Sequence, residues 1–184
     1  MLVHRLDEDS ELRLLQAHHA EALYALADRN RTYLRRWLAW VDSARDVSFI
    51  SNFIRGRLEA LAAGQGYSLS IWHKGSVAGV VGLYDLDQAA RKAEIGYWLG
   101  QEFEGLGLMT RSVRALLDYA IGEVGLHRIQ IKVHVDNLRS RAIPERLGLQ
   151  LEGLLRNDGT LHGKPCDHAL YAITDQEWAI RSSS

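Results

Sequence analysis

Apolar residues along this chain recur with a period of two in some stretches and close to four in others, and the changes of period mark the elements. Residues 11–15 (ELRLL) alternate as a half-buried strand does, whereas Ala20, Leu23 and Ala27 fall at helical spacing within residues 17–28. A stripe at Leu34, Trp37, Leu38 and Val41 predicts a second helix, and a third over residues 47–63 stops at Gly64. Residues 67–73, 76–84 and 93–99 then read as three strands, joined by a turn at Lys74-Gly75 and by a polar connection over 85–91. Short connections of this kind make an antiparallel meander.

Beyond residue 100 the helical period returns. Met109, Val113, Leu116, Leu117, Ala120, Ile121 and Val124 form one face of a helix that ends at Gly125, a residue suited to the left-handed C-terminal cap. The following strand, 129–135, sets Ile129, Ile131, Val133 and Val135 against Gln130, Lys132 and His134. Strand, helix, strand is most simply a right-handed crossover between parallel neighbours, so the sheet is expected to be mixed. A short helix after Asn137, strands near 149–155 and 168–173, and a capping box from Thr174 to Glu177 complete the order.

Composition narrows the class. With 184 residues, 47% of them hydrophobic, and no repeat or low-complexity linker, the chain is expected to form a single α/β domain over residues 1–184. A formal net charge of -1 gives no basic footprint for general nucleic-acid or membrane-surface binding. No apolar run approaches the roughly 20 residues that cross a bilayer, the charged N-terminus leaves no room for a secretory core, and the one cysteine, Cys166, reads as an ordinary free thiol. A cytoplasmic location is the expectation. The histidines show neither His-x-x-x-His nor Cys-x-x-Cys spacing, so no metal is implied.

Candidate chemistry concentrates at residues 101–110 (QEFEGLGLMT), between a strand and a helix. The first amides of a helix have no acceptor of their own and the dipole adds partial positive charge, which together favour a phosphate. Gly105 and Gly107 keep side chains out of its way and permit positive φ. An ordinary tight turn would also suit a lone Gly-x-Gly. The Gly-Lys-Ser/Thr of a nucleotide-hydrolysing loop is missing, and a dinucleotide fingerprint would need a third glycine after an early parallel strand.

Five spaced segments, 92–99 (KAEIGYWL), 104–110 (EGLGLMT), 137–140 (NLRS), 142–148 (AIPERLG) and Glu152-Gly153, together resemble the GNAT acetyltransferase superfamily. Within it the chain is similar to the Rim and YdaF-like branch of ribosomal-protein N-acetyltransferases, a likeness that extends to Asn30, Leu34, Trp37 and Trp40. The resemblance implies a mixed, mostly antiparallel sheet of about seven strands flanked by helices, with one parallel pair forming a coenzyme A cleft. It implies acetyl-CoA as cosubstrate, with pyrophosphate on the backbone of Gly105, Leu106, Gly107, Leu108, Met109 and Thr110. The pantetheine arm would run along Trp98 and Leu99 as an added strand, with Asn137 and Ser140 facing it from the other side. Asn137 equally suits a helix N-cap. Glu102 departs from the Gln or Arg of the family's loop pattern.

Transfer from a thioester to an amine requires a neutral nitrogen and a way to accommodate the departing thiolate. At pH 7 a neutral α-amine costs roughly 1.4 kcal/mol and a neutral lysine about 4.6, so an N-terminal acceptor needs only a modest base, through water if need be. Glu94, on the strand before the glycine loop, is the candidate base, against the alternative of a solvated carboxylate. His134, Asp136, His73 and Asp85 read as packing or surface groups. Many family members carry a tyrosine acid seven residues after the asparagine, but that position is Pro144 here, and a proline also withholds the N–H that would bond the carbonyl of residue 140. Ser140 is therefore the candidate proton donor or thiolate partner.

Tyr33, Trp37 and Trp40 could line an acceptor groove, although the stripe through Trp37 also fits core packing. The expected acceptor is a protein N-terminus, with a polyamine or aminoglycoside as the alternative and a noncatalytic acyl-CoA-binding module as a third reading. Homo-oligomerisation is left open.

Overall fold

The computed structural model describes residues 3–182. A hairpin of β1 (Val3–Arg5) and β2 (Ser10–Leu14) leads into α1 (Ala20–Arg29), α2 (Arg31–Leu34) and α3 (Val47–Ala62). The meander β3 (Tyr67–His73), β4 (Ser76–Asp87) and β5 (Lys92–Leu99) follows, then α4 (Leu108–Asp118), β6 (Arg128–His134) and α5 (Leu138–Leu147). A long hairpin, β7 (Gln150–Leu161) and β8 (Lys164–Thr174), precedes α6 (Asp175–Ser182). All eight strands belong to one sheet, in the order β1-β2-β3-β4-β5-β6-β8-β7. The strand beyond the expected seven is β1, whose three residues are too few to show an alternation.

Alternation along β4 divides the core. Val81 and Leu83 join Ile95, Ile129, Ile131, Val113 and Leu116 on the side covered by α4, while Val80 joins Leu23, Leu26 and Ile54 from α1 and α3. Each such side chain, fully withdrawn from water, contributes roughly 1.5–3 kcal/mol of transfer free energy. Asp46 caps α3 by accepting from the amides of Ser48 and Phe49 at 2.9 and 3.3 Å, and Thr174 and Glu177 form the capping box of α6.

One expected helix is broken. The stripe from Leu34 to Val41 is not continuous, because α2 ends at Leu34, Leu38 is extended at φ −125°, and only a 3-10 turn, Ala39–Asp42, follows. The Arg31 guanidinium holds the segment folded back by donating to the carbonyls of Val41 and of Ala44, the latter at 2.6 Å.

The parallel pair determines where a ligand can enter. β5 and β6 are in register only over Lys92–Glu94 and Arg128–Gln130. Beyond Glu94, β5 stays with β4 as far as Leu99 opposite Gly79, and β6 stays with β8 as far as His134 opposite His168. Gly79 permits the first of these, since a Cβ there would lie 2.2 Å from the Trp98 carbonyl oxygen. The two strands therefore splay apart, and the open edge of β5 faces a gap that α4 and α5 flank.

Candidate active site

A cleft of about 860 Å³ occupies that gap. Its wall from β5 is Tyr97, Trp98 and Leu99; its floor is Gly105, Gly107, Leu108, Met109 and Thr110; its far wall is Asn137, Arg139, Ser140 and Arg146 of α5 and its cap; and Tyr33 and Trp37 close one end. Most residues singled out from sequence thus meet in one place. Leu106 does not line the cleft and is 45% exposed, Glu94 lies outside it, and Trp40 packs into the core between Phe49 and Trp98. Trp37 lies in the cleft wall with its ring 5.1 Å from that of His134.

The floor is built by two glycines. Gly105 and Gly107 adopt φ of +77° and +69°, the left-handed region that other residues enter at a cost. Gly107 is the N-cap of α4, and no side chain caps that helix. The Gly107 carbonyl accepts the first in-helix bond, from the Arg111 amide at 3.1 Å, so the amides of Leu108, Met109 and Thr110 precede any helical partner. A Cβ built on Gly105 would meet nothing within 4 Å, so its face of the loop is open. Backbone donors, helix dipole and clear space fit a pyrophosphate. Arg146 and Arg111 add charge nearby: Arg146 donates to the Thr110 hydroxyl at 2.8 Å, and Arg111 to the Leu106 carbonyl at 3.0 Å while pairing with Asp7 at 2.7 Å.

Glu102, the departure from the family loop pattern, faces away from this floor. Its carboxylate accepts from Arg29 at 2.7 Å and from the buried Asn30 amide at 2.9 Å. Burial opposes its charge, but the bonds from Arg29, its own backbone and Asn30 prevail and hold the carboxyl below its ordinary value.

A second bridge spans the cleft. The Tyr33 hydroxyl donates to Glu104 at 2.6 Å, and Glu104 also takes Arg139, which ties α2, the glycine loop and α5 together. Burial first, and the Glu104 hydrogen bond second, push the Tyr33 phenol far above its usual range. Glu104 and Arg139 went unnoticed in the sequence, where they stand 35 residues apart with no shared period.

Asn137, which lines the cleft, caps α5 by accepting from the Ser140 amide at 3.2 Å, and the cap engages its side-chain oxygen and not its N–H₂. Tyr97 is another cleft residue that sequence reasoning did not single out. Its hydroxyl donates to the Ser140 carbonyl at 3.0 Å and lies 3.3 Å from the Ser140 hydroxyl. The lack of an N–H at Pro144 was the available signal, since a freed carbonyl needs another donor. Glu94 sits where β5 and β6 are still paired, and accepts from Gln130 at 3.1 Å with the Lys132 ammonium 3.3 Å away.

Splayed parallel strands, a helix start without a side-chain cap and a long cleft between them suit a phosphate-bearing ligand laid along the edge of β5. The profile described as "Acetyltransferase (GNAT) domain" matches residues 10–150, and the chain belongs to this GNAT acetyltransferase family. It is an acyltransferase, an N-acetyltransferase with acetyl-CoA as its acetyl donor. Among similar proteins, "Putative ribosomal N-acetyltransferase YdaF" of Bacillus subtilis (strain 168) is 35% identical over 97% of this chain and 98% of its own length. The "Ribosomal-protein-serine acetyltransferase" of Escherichia coli (strain K12) is 28% identical over 91% and 94%. The solved structure of RimL, a ribosomal L7/L12 alpha-N-protein acetyltransferase in complex with coenzyme A, superposes with a TM-score of 0.90 at 27% identity, covering 94% of this chain and 97% of that one. Among the described residues no helix is long and apolar enough to cross a membrane, and no His, Cys, Asp and Glu group is arranged to hold a metal.

Proposed function

We propose that the acceptor is the α-amine of a protein N-terminus, that of a ribosomal protein in particular. The observation that carries this reading is the state of the carboxylates. Of the residues lining the cleft, Glu104 alone bears one, and it is engaged by Tyr33 and Arg139. With no unengaged carboxylate in the cleft wall, an amine that is easy to deprotonate is the suitable nucleophile: roughly 1.4 kcal/mol for an α-amine at pH 7 against about 4.6 for lysine. The names of the relatives, ribosomal N-acetyltransferase and ribosomal-protein-serine acetyltransferase, agree with it.

In this reading the amides of residues 107–110 hold the pyrophosphate, the free edge of β5 at Trp98 and Leu99 binds the pantetheine arm, and Asn137 and Ser140 face that arm from α5. Gly105 and Leu106 complete the turn. Trp37 and Tyr33 border the acceptor, and Trp40 supports them from the core. Glu94 accepts the ammonium proton through intervening water, with the Lys132 ammonium 3.3 Å from its carboxylate.

The test is incubation of the pure protein with acetyl-CoA and a panel of ribosomal-protein N-terminal peptides, polyamines and aminoglycosides. Thiol release is followed, and the acetyl group is located by mass spectrometry. Acetylation at the peptide α-amine is expected; turnover confined to polyamines, aminoglycosides or lysine side chains would overturn the reading.

A further inference from the structure

The second half of the reaction, departure of the thiolate, has a device of its own in α5. Pro144 lies inside that helix and has no N–H for the carbonyl four residues earlier. The freed carbonyl is that of Ser140, and it receives instead the Tyr97 hydroxyl from β5 at 3.0 Å. Having placed its hydrogen there, the phenol oxygen turns a lone pair to Ser140, whose hydroxyl donates to it at 3.3 Å. The serine backbone is held from below by the Asn137 cap, and both side chains line the cleft.

We propose that Tyr97 is a positioning residue, oriented by the carbonyl that Pro144 leaves free, which holds the Ser140 hydroxyl ready to hydrogen-bond the sulfur of departing coenzyme A. This deepens the acetyl-transfer reading above and rests on its assignment of Ser140 to the pantetheine side. The step balances without a further reactant. The amine nitrogen bonds to the thioester carbon, the carbon–sulfur bond breaks with its pair on sulfur, and the ammonium proton leaves through water to Glu94. Ser140 keeps its proton and shifts its hydrogen bond from a neutral phenol oxygen, a weak acceptor, to a charged sulfur, for which bonds are roughly twice as strong.

A hydrogen bond is sufficient here. A thiol of ordinary pKa near 8.5 is only about 1.5 units from ionising at pH 7, roughly a thirtyfold preference for the protonated form. Burial pushes the Tyr97 phenol far above its usual range, with the Ser140 bond pulling the other way, so it stays neutral and exchanges no proton at working pH. Tyr97 acts through Ser140, and its loss is felt only where Ser140 is present.

The experiment uses free coenzyme A bound to the whole protein and follows the thiolate by its ultraviolet absorbance across a pH titration. The bound thiol is expected to ionise more readily in the wild type than in Ser140→Ala or Tyr97→Phe, by about tenfold in thiolate-to-thiol ratio. Pro144→Ala restores an N–H that competes for the Ser140 carbonyl, and is expected to fall between. In turnover, kcat should drop by about tenfold for Ser140→Ala, with KM for acetyl-CoA within about twofold. The Tyr97→Phe/Ser140→Ala double variant should match Ser140→Ala alone. Identical thiol titrations in all variants, or effects of Tyr97→Phe and Ser140→Ala that multiply, would overturn the proposal. Should Tyr97→Phe fail to fold, Pro144→Ala titrating with the wild type does the same. Because the titration needs no acceptor, it stands or falls apart from the acceptor panel.

Discussion

The side-chain amide of Asn30 donates to Glu102 at 2.9 Å while its carbonyl oxygen accepts from the Gln101 amide, also at 2.9 Å. This pair fastens the end of α1 to the turn that enters the glycine loop, and Asn30 is itself buried. Glu102→Gln should therefore lower Tm at neutral pH by the equivalent of up to about 1 kcal/mol, the range for a partly exposed ion pair. The folded carboxyl is held below its ordinary 4.5, so its contribution is present above that pH and is lost as pH falls through the lower folded value. Thermal melts of the two proteins should differ most near neutrality and converge in acid; a gap that stays constant to low pH would count against the ion pair.

Gly105 and Gly107 separate backbone conformation from local crowding. Both have positive φ, yet an added Cβ meets nothing within 4 Å at Gly105 and lies 2.8 Å from an Arg111 guanidinium nitrogen at Gly107. Alanine at either position should destabilise the fold by about 1 kcal/mol through φ alone. At Gly107 the long arginine can swing aside, so the additional loss appears in ligand affinity, as its bond to the Leu106 carbonyl is disturbed. Calorimetry with coenzyme A should show weaker binding for both variants. Unchanged affinity in both would mean that the loop does not hold the phosphates.

What could be read from the chain follows from how far each signal travels. The glycine floor, the Asn137 cap and the freed Ser140 carbonyl depend on neighbours within a turn or two, and their chemistry is legible in sequence. The strands and α4 show because one face of each is buried, which enforces a period. Tyr97 with Ser140, 43 residues apart, and Tyr33 with Glu104, 71 apart, depend on how separate elements register in space, and no local pattern encodes that. Trp37 and Trp40 show the same limit. A single helix would have carried the stripe of Leu34, Trp37, Leu38 and Val41, but after the break at Leu34 Trp37 lies at the cleft and Trp40 against the core.

That division predicts opposite outcomes for the two tryptophans. Trp40 stacks on Phe49 with ring centroids 6.3 Å apart and meets Trp98 at 5.7 Å, so Trp40→Ala should cost about 2–3 kcal/mol for a half-buried ring. Trp37 borders the cleft, and Trp37→Ala should cost less stability while raising KM for the acceptor severalfold. Denaturant melts and steady-state kinetics on the two variants decide between this and a shared structural role.

Tyr67 offers a change that should stabilise. Its ring stacks on Tyr119 at 5.3 Å, but its hydroxyl is buried with no hydrogen-bond partner among the described residues. A buried donor left unsatisfied costs about 1–3 kcal/mol, so Tyr67→Phe, which keeps the ring and removes the hydroxyl, should raise stability by about 1 kcal/mol at neutral pH. Alkali should widen the difference. Burial, with Tyr119 and Glu123 adding to it, pushes the Tyr67 phenol from 10.0 up to about 12, so the unfolded chain ionises there before the folded one does. A group whose folded pKa is raised contributes fully below its unfolded value and loses that contribution as pH rises through the folded value. The wild type should therefore lose stability between 10.0 and about 12 through this residue, and the phenylalanine variant should not. Urea melts at pH 7 and within that alkaline window measure both effects, and a Tyr67→Phe protein less stable than the wild type at either pH would show that the hydroxyl is satisfied after all.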